Sequence, residues 1–123
     1  MEMKLSWFEV PVTNMERAIL FYEDVFGIKI DLQDFTGVLM GFFPRPDNEG
    51  ASSGSLIQYK SCIPSEEGSL LYFNAADITA CLERVSTAGG KVLQNKTQIS
   101  EEHGYMATFI DSEGNKVALH STH

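Results

Sequence analysis

One pattern narrows the fold of this chain more than any other. The stretch from Phe8 to Tyr22, closed by Val25-Phe26-Gly27, reads as strand, capped turn, helix and glycine stop, and the same order returns 63 residues later. Asn14 matches Asp77 and Gly27 matches Gly90. The apolar helix positions Met15, Ala18, Ile19, Tyr22, Val25 and Phe26 fall on Ile78, Cys81, Leu82, Val85, Ala88 and Gly89, and five of these six pairs keep an apolar residue. What repeats is the pattern of burial and capping rather than identity, and a repeat of this kind decides the architecture before any single residue does.

Each half spells out one strand, one helix and three strands. In the first, Leu5 to Val12 alternates Phe8, Val10 and Val12 with Trp7, Glu9 and Pro11. Pro11 has no N–H to give to a ladder and belongs at a strand end or an unpaired edge. Thr13-Asn14-Met15-Glu16 offers both a capping-box spacing and Asn14 as a cap in its own right. The helix runs to about Phe26, and strands follow at Ile28–Asp34, Val38–Phe43 and Ser55–Lys60, with the proline-, glycine- and serine-rich 44–54 as a loop. In the second half, strands are expected at Ser69–Ala75, Lys91–Gln94, Tyr105–Ile110 and Lys116–His120, with Asp77 capping a helix over Ile78–Ala88 and Gly89-Gly90 ending it. Residues 111–115 form the last hairpin loop. The reading is a single α+β domain over 1–123, with two βαβββ modules at about 4–60 and about 69–121. The modules form a curved mixed sheet with the helices on its outer face. The concave inner face is where such a sheet takes a small ligand.

Charge and length exclude several classes. Seventeen acidic residues against nine basic ones give a net charge of -8, which repels phosphate backbones and anionic membrane surfaces. Nucleic-acid and membrane partners are therefore not expected. Nothing in the chain approaches the roughly 18 apolar residues of a spanning helix, and the first residues carry no apolar leader pattern, so the expected location is the cytoplasm. Two cysteines make no disulfide framework. Cys81 lies on the apolar helix face, and Cys62 sits in a polar loop with no histidine near it in sequence.

With both modules laid out, the chain resembles the vicinal oxygen chelate superfamily, which includes glyoxalase I, bleomycin-resistance proteins and extradiol dioxygenases. The residues that carry the resemblance are Val12-Thr13-Asn14-Met15-Glu16-Arg17-Ala18, Phe21-Tyr22 with Val25-Phe26-Gly27, Ala88-Gly89-Gly90-Lys91-Val92, and Asp111-Ser112-Glu113-Gly114-Asn115 with Leu119. The resemblance implies paired modules, a homodimer and a ligand site in the concavity. Metal-using members place a His or similar ligand at the start of the first strand of each module and a Glu or similar ligand on the last strands. Matched through the turn motif, these positions fall on Trp7, Leu70 and Ala118, with a fourth near Ser55 to Gln58, where only Gln58 carries a weak donor. Zinc, iron and manganese need N or O donors at about 2 Å, which Trp, Leu and Ala lack. A shift of one residue brings in only Phe8, Leu71, Val117 or Leu119. The expected cofactor is therefore none, and metal sites are none.

The remaining candidates follow from strand parity. Trp7, Glu9, Gln58, Leu70, Tyr72, Asn74 and His120 are the expected ligand-binding residues, aromatic and apolar with a few polar handles. Glu9 and His120 are the candidate catalytic groups, Glu9 as a carboxylate base facing the concavity. His103 lies in a charged loop and His123 at the chain end. The leading expectation is metal-independent binding of a small, partly apolar molecule. The alternatives are a lyase, isomerase or dioxygenase of the same superfamily, and a non-catalytic structural or regulatory subunit.

Overall fold

The computed structural model describes residues 3, 5–45 and 53–123. The chain runs β1 (Phe8–Pro11), α1 (Met15–Phe26), β2 (Asp31–Asp34), β3 (Leu39–Phe42), β4 (Gly54–Gln58), β5 (Tyr72–Asn74), α2 (Ile78–Thr87), β6 (Lys91–Ser100), β7 (Gly104–Ile110) and β8 (Lys116–Ser121). Strand order is β1-β4-β3-β2 in one sheet and β5-β8-β7-β6 in the other. The first strand of each module pairs in parallel with its last, and the other pairings are antiparallel. The α+β fold of two βαβββ modules is thus the observed one.

The helix starts show how closely the modules repeat. Asn14 and Asp77 sit at φ/ψ of -140/98 and -138/97, and their side chains accept from the backbone N–H groups of Arg17 and Ala80. The cap is therefore Asn14, three residues before the donor, and not the Thr13–Glu16 capping box. Gly27 closes α1 at φ +63, the left-handed turn that favours glycine. Pro11 ends β1, where its missing N–H breaks no ladder.

The strand boundaries differ where burial departs from alternation. β2 is shorter than its sequence pattern, because Ile28 and Ile30 pack into the core before the strand begins and Leu32 turns outward. β5 is likewise only three residues long. β6 extends six residues past Gln94, through Asn95-Lys96-Thr97-Gln98-Ile99-Ser100. That polar run lies on an exposed edge strand, with three shifts in its register against β7. No alternating apolar face marks it, since nearly all of it faces solvent.

Within the described residues no ladder joins the two sheets: β1 pairs only with β4, and β5 only with β8. The two four-stranded sheets face each other across a seam between β1 and β5. Side chains close it. Phe73 meets Phe8, Phe26 and Phe43 at ring separations of 5.7, 5.5 and 5.7 Å. Phe21 of α1 meets Phe109 of β7 at 6.0 Å, so one core serves both modules.

A polar latch joins the modules above this core. The 111–115 turn of the second module is folded around Asp111, which accepts from the backbone of Glu113 and Asn115, and Asp111 Oδ2 accepts from the buried Tyr22 hydroxyl at 2.6 Å. Burial and the adjacent Asp111 push the Tyr22 phenol well above its ordinary pKa. Glu113 accepts from the backbone N–H groups of Thr13 and Asn14 and pairs with Arg17 at 2.7 Å. Burial alone would raise the Glu113 carboxyl, but the donors from Arg17, Asn14, Ser112 and Thr13 outweigh it and hold it down at about 2. Asn115 donates to the Pro11 carbonyl at 2.7 Å and accepts from the Ser65 backbone.

Candidate functional site

The family's metal positions come first, since they decide which chemistry is open. Trp7 is spent on packing, its ring centroid 5.8 Å from Phe42. Leu70 precedes β5 and is half-buried, and Ala118 is wholly buried. Gln58 does not reach the Trp7 side of its sheet. It shares strand parity with the core residue Leu56, and its Oε1 accepts from the Met15 backbone at 2.7 Å, serving the first turn of α1. The position in β4 equivalent to Ala118 is Ser55, opposite Glu9 in the register; its hydroxyl is enclosed and has no hydrogen-bond partner among the described residues. A lone neutral hydroxyl beside one carboxylate is not a set that holds zinc, iron or manganese. Among the described residues no three His, Cys, Asp or Glu side chains converge. Among the described residues, the donors at these positions do not make a zinc, iron or manganese set.

The expected binding residues are distributed rather than gathered. Glu9 is exposed and borders a hollow of about 360 Å³, together with Ile63, Glu67, Leu71 and Lys116. Tyr72 and Asn74 border a different cavity at the other end of the seam. His120 is engaged elsewhere: its Nε2 lies 2.6 Å from the His103 carbonyl, which can only accept, so the proton sits on Nε2. His103 in turn meets Ser100 through Nδ1. Trp7, Leu70 and His120 line neither of these two hollows, and His120 is the register partner of Asn74 in the β5–β8 ladder.

The larger cavity, about 630 Å³, is one that strand parity did not reveal. Its walls come from both modules. Phe8 of β1, Phe43 just past β3 and Phe73 of β5 are mutual neighbours at 5.7–5.8 Å, and Phe26 from the last turn of α1 stands against Phe73. Gly54 makes room for this arrangement, since a Cβ there would lie 2.3 Å from the Phe8 ring. The Gly27 turn then carries Ile28 and Lys29 to the mouth, where Pro44, Arg45 and Ser53 complete the rim. Four phenylalanines at core parity read from sequence as core, and they are core. Only their placement at element ends, beside Gly27 and Pro44, hints that the packing opens there. The chemistry offered is an aromatic wall with polar groups at the rim, and its volume lies in the usual range of small-molecule sites, roughly 300–1,000 Å³.

Comparison with known proteins gives the fold a lineage. The description "Glyoxalase/Bleomycin resistance protein/Dioxygenase superfamily" matches residues 4–119. A glyoxylase-like domain-containing protein of Didymella fabae is similar at 30% identity, over 94% of this chain and 91% of its own length. The FosX fosfomycin resistance protein of Listeria monocytogenes superposes with a TM-score of 0.73 at 16% identity, covering 98% of this chain and 91% of that one. Glyoxalase I of Zea mays gives 0.72 at 21% identity and 95% of this chain, which spans only 45% of the maize protein. The likeness to these solved structures concerns the fold. On the family match and the Didymella relative, the chain belongs to the glyoxalase/bleomycin resistance protein/dioxygenase superfamily.

Proposed function

We propose that this protein binds a small, partly apolar organic molecule without a metal, and that the seam cavity holds it. The observation that carries this reading is the aromatic-walled cavity of about 630 Å³ built jointly by the two modules. The metal-free part rests on Trp7, Leu70 and Ala118 at the family's donor positions and on Gln58 being spent at the helix start. A fosfomycin resistance protein among the structural neighbours accords with a drug-sized ligand.

Two measurements on the purified protein test it. Elemental analysis should find well under one divalent metal per chain. About one zinc, iron or manganese per chain, lost on substituting a described residue, would overturn the metal-free part. Amide chemical-shift mapping with a panel of aromatic small molecules should move resonances of Gly27 to Lys29, Ser53, Phe73 and Asn74. A panel that moves none of them would remove the cavity from the reading.

A homodimer belongs to the same proposal. The outermost strands β2 and β6 have one partner each, and exposed Leu32, Phe35, Leu93 and Ile99 lie on or next to them. Unpaired edges bearing apolar side chains are surfaces a second copy can cover. Sedimentation at micromolar concentration should give twice the chain mass, and a monomer there would sink this part.

A further inference from the structure

Tyr22 stands behind the seam cavity without lining it. Its ring is fully buried and touches three others among the described residues. Phe21, edge to face at 5.2 Å, leads on to Phe109 in the core. Phe26 is stacked on Tyr22, 5.9 Å away and 5° from parallel, and Phe43 meets it edge-on at 5.6 Å. Phe26 and Phe43 are both walls of the cavity, and both lean on Phe73 of the other module, at 5.5 and 5.7 Å. Tyr22 is thus the backing against which two wall rings rest.

The far end of the same side chain is fixed. Its hydroxyl donates to Asp111 Oδ2 at 2.6 Å. That oxygen also accepts from the Asn115 side chain at 3.1 Å, and Asp111 Oδ1 accepts from the backbone N–H groups of Glu113 and Asn115, each at 2.9 Å. Asn115 is tied in turn to the Pro11 carbonyl at the end of β1. With both its oxygens engaged, the carboxylate cannot follow the phenol if the ring shifts. A satisfied buried network of this kind fixes geometry, and close packing passes that constraint to the neighbouring rings. Resting on the binding function proposed above, we infer that Tyr22 is a positioning residue for the seam cavity: its hydroxyl is anchored in the second module, and its ring holds Phe26 and Phe43 where a ligand meets them. The 111–115 turn thereby sets the shape of a cavity it does not line. Walls held in place cost a ligand less ordering than walls that settle only on binding. The coupling is reciprocal, so a ligand packed on Phe26 and Phe43 favours the Tyr22–Asp111 bond by the factor with which that bond favours the ligand.

The test uses the intact chain, 2-naphthalenemethanol as an uncharged probe, and two variants. Tyr22→Phe removes the hydroxyl and keeps the ring. Val85→Ala is the control, because Val85 is the counterpart of Tyr22 in α2, is wholly buried and does not line the cavity. It lowers stability without touching the anchor. Amide spectra establish that each protein is folded at the titration temperature. In the parent, the probe should move the resonances of Gly27 to Lys29 and Phe73. Tyr22→Phe should bind it at least three-fold more weakly, and Val85→Ala less than three-fold more weakly. A readout that needs no variant is the Tyr22 hydroxyl proton, whose exchange with water should slow at least three-fold when the parent is saturated with probe. A Tyr22→Phe affinity within three-fold of the parent, a three-fold or larger loss in Val85→Ala, or a hydroxyl exchange rate unmoved by the probe would each overturn the positioning role while leaving the cavity as a binding site. A probe that moves no cavity resonance in the parent would overturn both.

Discussion

Tyr22 shows how much one side chain does here. Its ring is fully buried, touching Phe21, Phe26 and Phe43, and its hydroxyl reaches Asp111 in the other module. From sequence it is the partner of Val85 in the helix repeat, and both are wholly buried as that pairing expects. The hydroxyl was not legible, because its partner lies 89 residues away and belongs to a turn that reads as an ordinary polar loop. The two roles separate experimentally. Tyr22→Phe keeps the ring and leaves Asp111 one donor short, at a cost of roughly 1–3 kcal/mol. Tyr22→Ala adds the cavity term and should cost roughly 3–5 kcal/mol or more. Urea unfolding of both variants checks this, and a Tyr22→Phe variant as stable as the parent would show that the hydroxyl contributes nothing. Gln58 teaches the complementary lesson: its residue type suggests a ligand, but strand parity with Leu56 sends it to the helix start instead.

At the scale of elements, the 111–115 turn acts on the start of α1 as an external cap. Glu113 takes the Thr13 and Asn14 N–H groups while Asn14 takes that of Arg17, so three donors around the helix start are satisfied by two side chains. Its carboxyl titrates at about 2 in the fold against an ordinary 4.5. A group that holds its proton less firmly when folded stabilises the native state in its charged form. That contribution is complete above about pH 4.5 and is lost as pH falls toward 2. Because Arg17 is 52% exposed, solvent screens the pair, and only part of the shift appears as stability. Glu113→Gln should lower the melting temperature at pH 7 and flatten its fall between pH 4.5 and 2. A variant that melts in parallel with the parent over that whole range would show that the latch adds no pH-dependent stability. None of this was visible in the sequence, since a helix start and a hairpin about 100 residues apart leave no shared local pattern.

For the whole molecule, the repeat carried much of the architecture: the two modules, their helices and the Asn14 and Asp77 caps follow from it, while α2 closes at Ala88 rather than with Gly90 in the place of Gly27. Two things did not follow. Local alternation says which face of a strand is apolar but not whether two edges meet in a ladder, and among the described residues no ladder joins β1 to β5. The cavity in that seam was hidden for the same reason. Phe8, Phe26, Phe43 and Phe73 lie on four separate segments, and only tertiary packing makes a wall of them. Trp7 and Tyr72, by contrast, are aromatic on the opposite parity and drew the site toward themselves; Tyr72 borders the cavity, while Trp7 packs on Phe42.

The shared core also bears on the order of events during synthesis. A chain emerging from the ribosome presents Phe8, Phe21, Phe26 and Phe43 well before Phe73 and Phe109 exist to cover them. The latch contacts Tyr22–Asp111 and Arg17–Glu113 span 89 and 96 residues, so they form only when the last hairpin has left the exit tunnel. The contacts that complete the first module's core are therefore unmade until the second module is synthesised. Transiently uncovered apolar surface of this kind is what makes a partly synthesised chain prone to association.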